Sequence, residues 1–156
     1  MVIDIHTFPG FFEEISQDPK RVAFRREQYF LYKQHVWPLS LFMTQMDAAG
    51  IDKSVISAED VTTLAGDTIV SNEEVRQLVD MHPDRLIGFA SVDPARKDAL
   101  EVLEHAFTDL KLTGLKLSPA MQHFMPNDPA MQPIYDLCVK YNKPILFEAG
   151  MTWVKN

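Results

Sequence analysis

The segment Leu86-Ile87-Gly88-Phe89-Ala90-Ser91-Val92 is apolar almost from end to end and lies between two stretches with helical spacing of apolar residues. A strand of that composition is expected to be buried on both faces, the mark of a parallel sheet covered by helices. Before it, Ser71-Asn72-Glu73-Glu74 is a capping-box sequence: a serine oxygen and a glutamate three residues on satisfy the first free amides of a helix. That helix is expected to run to about Met81, where His82-Pro83-Asp84 ends it. After the strand, Leu100, Leu103, Phe107 and Leu110 place one apolar face on a helix over 98–111. The alternation extends in both directions. Leu39, Phe42, Met43, Met46 and Ala49 mark a helix that Gly50 stops, and Ser54-Val55-Ile56-Ser57 reads as the strand that follows. Gly114-Leu115-Lys116-Leu117 is a fourth strand, and Asp128-Pro129 caps and opens a helix over 130–141. Pro144-Ile145-Leu146-Phe147-Glu148 is a fifth strand. Strands alternating with helices imply right-handed βαβ crossovers and an all-parallel α/β sheet.

The first strand, Val2-Ile3-Asp4-Ile5-His6-Thr7-Phe8, differs in carrying an acid and an imidazole. Strict alternation puts Val2, Asp4, His6 and Phe8 on one face and Ile3, Ile5 and Thr7 on the other. The second face then packs outward against helices and the first delivers polar groups inward. Sites in parallel α/β folds form at the C-terminal ends of strands, which here hold His6 and Phe8, then Ser57 and Glu59, then Asp93, then Ser118, then Glu148. Asp4 lies one residue pair deeper and reads as an acid hydrogen-bonded beneath the site, with ligation as the alternative.

A long connection over 7–37 follows the first strand. Pro9-Gly10 opens it and Pro38 closes it, and 19–33 has the make-up of a helix with Arg21, Arg25, Arg26 and the aromatics Phe24, Tyr29 and Phe30. Two readings stand: a solvated helix with one packed aromatic side, or a lid or oligomer contact that presents an arginine to a carboxylate substrate. Past the fifth strand, Trp153 is either a pocket wall or cover for the sheet edge.

Composition narrows the class. With 156 residues and 46% hydrophobic content the chain can bury one substantial core, and a net charge of −7 argues against nucleic-acid or anionic-membrane partners. Cys138 is the sole cysteine, so an intrachain disulfide is impossible; with no secretory signal and no apolar run long enough to span a membrane, a cytoplasmic location is expected. Of the remaining histidines, His35, His82 and His105 sit in the connection, at a helix end and in mid-helix. His123 lies in the loop after the fourth strand, on the face where a site would form.

Five segments together resemble the amidohydrolase superfamily, in its branch of hydrolases and nonoxidative decarboxylases related to aminocarboxymuconate-semialdehyde decarboxylase. They are the first strand, Gln45–Val55, His82–Pro94, Gly114–Pro119 and Pro144–Gly150. The resemblance implies a TIM-type (β/α)8 barrel. It also implies a divalent metal, zinc or manganese, held by a His-x-His pair ending the first strand, a histidine ending the fifth and an aspartate from the eighth. His6 matches the first position, Phe8 stands at the second, and Glu148 stands where the fifth-strand histidine falls. Ser118 replaces a histidine often found before the fourth-strand proline. His6 and Glu148 are therefore the metal-side candidates, while Arg25, Arg26, Lys116 and His123 are the candidates for meeting a substrate carboxylate; no catalytic residue is assigned. A closed barrel needs roughly 200 residues and eight strands, against five here. The expectation is a partial barrel over 1–156, incomplete at its C-terminus and completed by a partner chain or a second copy, with an open doubly wound sheet as the competing architecture. The expected chemistry is hydrolysis or nonoxidative decarboxylation of a small carboxylated or cyclic compound, with a degraded metal site. The alternative is a noncatalytic binding or assembly subunit on the same fold.

Overall fold

The computed structural model describes residues 1–150, so Trp153 lies outside the described residues. In chain order the elements are β1 (Ile3–Thr7), α1 (Pro19–Gln28), α2 (Leu39–Ala49), β2 (Lys53–Ser57), β3 (Glu59–Asp60), α3 (Thr62–Ala65) and β4 (Thr68–Val70). There follow α4 (Asn72–Met81), β5 (Leu86–Ala90), α5 (Ala99–Thr108), β6 (Gly114–Leu117), α6 (Gln132–Lys140) and β7 (Ile145–Phe147). Five strands form one parallel sheet in the order β1-β2-β5-β6-β7. Each new unit adds on the same side of the last, with no point where the order reverses. That is the winding of a barrel wall and not of a doubly wound sheet.

Local chemistry explains most boundaries. Asp18 accepts from the Lys20 amide with Pro19 at the first helical position, starting α1. The α2 helix has no cap of its own; the Glu14 carboxylate from the preceding connection takes the Leu39 amide at 3.0 Å instead. Gly50 ends α2 at φ 68°, a conformation that suits glycine. The capping box at Ser71 is fully formed, with Ser71 Oγ accepting from the Glu74 amide and Glu74 Oε2 from the Ser71 amide. Two expectations shift. The helix predicted over 19–33 stops at Gln28, because Phe30 turns to φ 55° and the Leu31 amide folds back onto the Arg26 carbonyl. Between β2 and α4 the chain also builds a small antiparallel pair, β3 with β4, around the one-turn α3.

One face of the sheet carries the core. Ile56, Leu86, Ala90, Leu115 and Leu117 pack with Leu39 and Met46 of α2, Val75 and Leu78 of α4, Leu103 and Phe107 of α5, and Ile134 and Cys138 of α6. Gly88 is needed there, since a Cβ would stand 2.7 Å from the Leu112 side chain and 3.0 Å from Val75, so glycine lets α4 approach. The other face is covered unevenly: Val55, Ser57 and Lys116 are buried, while Ile3 and Ile5 stand exposed. In β5 the residues alternate, with Leu86, Gly88 and Ala90 buried and Ile87 and Phe89 only half-buried, so the strand is not covered on both sides as its composition suggests. In a closed barrel that second face is filled by side chains from opposite strands; among the described residues it is covered only in part.

β1 departs from strict alternation. Asp4 pairs with Ser54 and Thr7 with Ile56, so two residues, Ile5 and His6, stand opposite the single Val55, which is a bulge. Asp4 accepts from the His6 amide (3.1 Å) and from Thr7 Oγ1 (3.2 Å), and Thr7 Oγ1 meets Ser54 Oγ at 2.8 Å. Asp4 and Thr7 thus share the side of Ser54 and Ile56. The expected assignment of faces is corrected: Ile3 and Ile5 do not pack outward on helices but stand 39% and 62% exposed, and Asp4 ties the bulge together.

Cys138 is buried in α6, and burial pushes its thiol up to about 11. Because the thiolate is the reactive form, a disulfide-exchange reagent at pH 8 is expected to modify the native protein at least about 100-fold more slowly than the urea-unfolded chain, measured by absorbance of the released thiol.

Candidate functional site

Lys116 sits in the middle of β6, on the face opposite Leu115 and Leu117. The residue is 3% exposed, and its ammonium contacts two carboxylates, Glu59 at the start of β3 and Glu148 just after β7, the latter at 2.5 Å. Glu59 is wholly buried; besides Lys116 it accepts from Ser118 Oγ at 3.0 Å and from the Tyr29 hydroxyl at 3.3 Å. Ser118 Oγ also lies 3.2 Å from Glu148 Oε2, so its single proton alternates between the two acids. His6, turned into this group by the bulge, brings Nε2 to 3.6 Å from Glu148 Oε2. The sheet geometry makes this convergence possible: Lys116 and Leu146 are register partners, and the chain leaving β7 places Glu148 over Ser118.

The electrostatics follow from burial. The His6 imidazole, and after it the Lys116 ammonium, hold the Glu148 carboxyl down to about 2, against the upward push of partial desolvation. Burial drives the Lys116 pKa below the ordinary lysine value, while Glu148 pulls it back up. Two contacting carboxylates favour the charged ammonium. Burial, and then the Glu148 charge, raises the Tyr29 hydroxyl, keeping it a donor.

His6, Lys116 and Glu148 border a cavity of about 210 Å³. Its apolar wall is Phe8, Tyr29 and Leu31. The Phe8 ring lies 4.7 Å from that of Tyr29 and folds over Gly10, where a Cβ would come within 2.2 Å of it. Ser57 completes the lining; its Oγ is buried and has no hydrogen-bond partner among the described residues. A buried hydroxyl left unpaired beside a cavity is a place for a ligand's polar atom.

The sequence-predicted residues divide. His6, Glu148 and Lys116 come together. Arg25 does not join them: it is fully buried and donates to the carbonyls of Gly10, Ile15 and Ile69, to Ser16 Oγ and to Glu74, so it anchors the long connection to β4 and α4. Arg26 closes its own loop on the Gln34 carbonyl, and His123 is exposed at φ 53° away from the cavity lining. The connection over 7–37 does reach the site, through Phe8, Tyr29 and Leu31. Glu59 and Ser57 fall at a strand end as the sequence suggests, but nothing in the sequence shows that Glu59 turns back onto Lys116.

A metal is what the resemblance implies, and the donor set does not fit one. Among the described residues no three His, Cys, Asp or Glu side chains are placed to hold an ion. Phe8 offers no lone pair, and an ammonium already contacts both acids.

Comparison with known proteins gives the class. The amidohydrolase family model matches residues 35–155, more than half of the sequence, and the chain belongs to that family. Its fold is similar to that of a TIM-barrel protein from Bordetella bronchiseptica at 23% identity and TM-score 0.68, covering 96% of this chain and 56% of that one. It is similar to 4-oxalomesaconate hydratase from Rhodopseudomonas palustris at 20% identity and TM-score 0.68, covering 96% and 52%. It is also similar to 5-carboxyvanillate decarboxylase from Novosphingobium aromaticivorans, solved with bound manganese, at 16% identity and TM-score 0.65, covering 97% and 51%. The chain spans about half the length of these structures. No curated protein matches it by sequence. Among the described residues no helix is long and apolar enough to cross a membrane.

Two predictions follow from the site. Arg25→Met strips a guanidinium from three carbonyls and a carboxylate, and is expected to lower the unfolding free energy by about 3–5 kcal/mol in urea titrations. Glu148 lends stability that is complete above its unfolded value of 4.5 and is lost as pH falls through about 2. Glu148→Gln is therefore expected to flatten the fall in stability over that acid window, measured as denaturant midpoint against pH.

Proposed function

We propose that the chain forms the catalytic wall of an amidohydrolase-type cavity that binds a small carboxylated compound and cleaves it by nonoxidative decarboxylation or hydrolysis. The observation that carries this is the meeting of Lys116, Glu59, Ser118, Glu148 and His6 at the C-terminal strand ends, beside an aromatic wall and an unpaired Ser57 hydroxyl. A substrate carboxylate exchanges with Glu148 at the ammonium, because Glu148 is the accessible acid, 41% exposed, and Glu59 the buried one. The displaced Glu148 stays beside His6. In the decarboxylation reading, the carbon–carboxylate bond breaks, CO₂ departs, the electron pair remains on carbon, and His6 returns a proton to it. Phe8 and Tyr29 shield that carbon from water, and Ser57 donates to a second oxygen of the substrate. The edges at β1 and β7 and the exposed part of the second face are where further βα units of a barrel would pack.

Aromatic acids such as 2,6-dihydroxybenzoate and 5-carboxyvanillate are the natural first substrates, since decarboxylases acting on such acids share this fold. Turnover is followed by CO₂ release and proton NMR. Lys116→Met is expected to lower kcat/KM by about 10²–10³-fold, the cost of removing one fixed charge-stabilising donor. Turnover unchanged by Lys116→Met ends this reading. The Phe8 ring at the second first-strand ligand position favours the noncatalytic alternative, which predicts saturable binding of the same acids with no product.

A further inference from the structure

We propose that the Lys116 ammonium is the resident cation of this cavity, standing where a divalent metal would need to be, so that the site binds its ligand without a metal. The inference rests on the cavity being a ligand site, and not on which reaction follows.

The distances make the case. His6 Nε2 and Glu148 Oε2 are 3.6 Å apart, and a zinc ion about 2.0–2.2 Å from each fits that gap. Two donors with workable spacing therefore exist. What blocks the ion is the rest of its sphere. Glu148 Oε2 is already 2.5 Å from Lys116 Nζ, and an ion bound to that oxygen would share it with a positive charge. The third carboxylate in reach, Glu59, is wholly buried and engaged by the same ammonium and by Ser118. The position expected of a second histidine holds the Phe8 ring, packed on Tyr29 and over Gly10. The acids that could ligate a metal are consumed by a cation covalently attached to β6. Removing that cation should free Glu148 to share an ion with His6, the two donors already at workable spacing, with water completing the sphere.

Mn²⁺ tests this without any substrate, so its result is independent of turnover. Wild-type protein dialysed against metal-free buffer is expected to hold no stoichiometric metal by elemental analysis, and substoichiometric Mn²⁺ should leave the His6 imidazole proton signals sharp in NMR. Lys116→Met is expected to bind one Mn²⁺ per chain, at least about 100-fold more tightly than wild type by calorimetry, because a like charge at contact distance has been removed. Adding Glu148→Gln to Lys116→Met should abolish the gain. Stoichiometric metal retained by the wild type, or selective broadening of its His6 signals, overturns the proposal. A folded Lys116→Met protein that binds no Mn²⁺ also overturns it, since the ammonium would not then be what fills the ion's place. Should that variant not fold, the wild-type broadening experiment decides alone.

Discussion

An ammonium buried in the middle of a strand must be compensated where it stands, and Lys116 imposes that demand on three separate segments. Taking such a charge out of water costs several kcal/mol after relaxation, recovered only if carboxylates meet it in good geometry. Glu59 comes from the turn after β2, Glu148 from the chain leaving β7, and Ser118 from the residue after β6, so strands far apart in sequence are fixed by one charge. Tyr29 joins through Glu59 and His6 through Glu148, which ties the long connection after β1 and the bulge in β1 to the same point. The functional surface is thus a consequence of electrostatic closure around a single side chain.

Much of the fold was legible because its signals are local. Capping at Ser71 and Asp128, the stop at Gly50, and apolar periodicity in the helices each depend on a few neighbouring residues. The five strands of the sheet and their parallel order follow from such signals in series. What could not be read depends on contacts distant in sequence. The bulge in β1 is held by Thr7, which donates to Asp4 and meets Ser54 Oγ across the sheet, and Ile3 and Ile5 stand exposed where strict alternation packs them on helices. The β3–β4 pair has strands of two and three residues, too short for any period to show.

The candidate site was legible in part for the same reason. His6, Glu148 and Lys116 sit at strand ends or on the inward face, where topology alone brings side chains together. Arg25 looked like a substrate ligand because a cationic residue on a loop helix is free to point anywhere. Its fate was settled by unsatisfied carbonyls at Gly10, Ile15 and Ile69, which no sequence pattern records. Family membership describes the scaffold, and the side chains at the strand ends have to be argued for themselves, which is the usual division between fold and site.

The Glu74 carboxylate has a consequence for how the molecule holds together in time. One of its oxygens closes the helix-initiating ring with the Ser71 amide and meets Arg21, while the other takes the Arg25 guanidinium. The start of α4 and the segment that carries Tyr29 to the cavity therefore form one cooperative unit. A helix start and a cavity wall are thus braced by the two oxygens of one side chain, so whatever loosens Glu74 loosens both together.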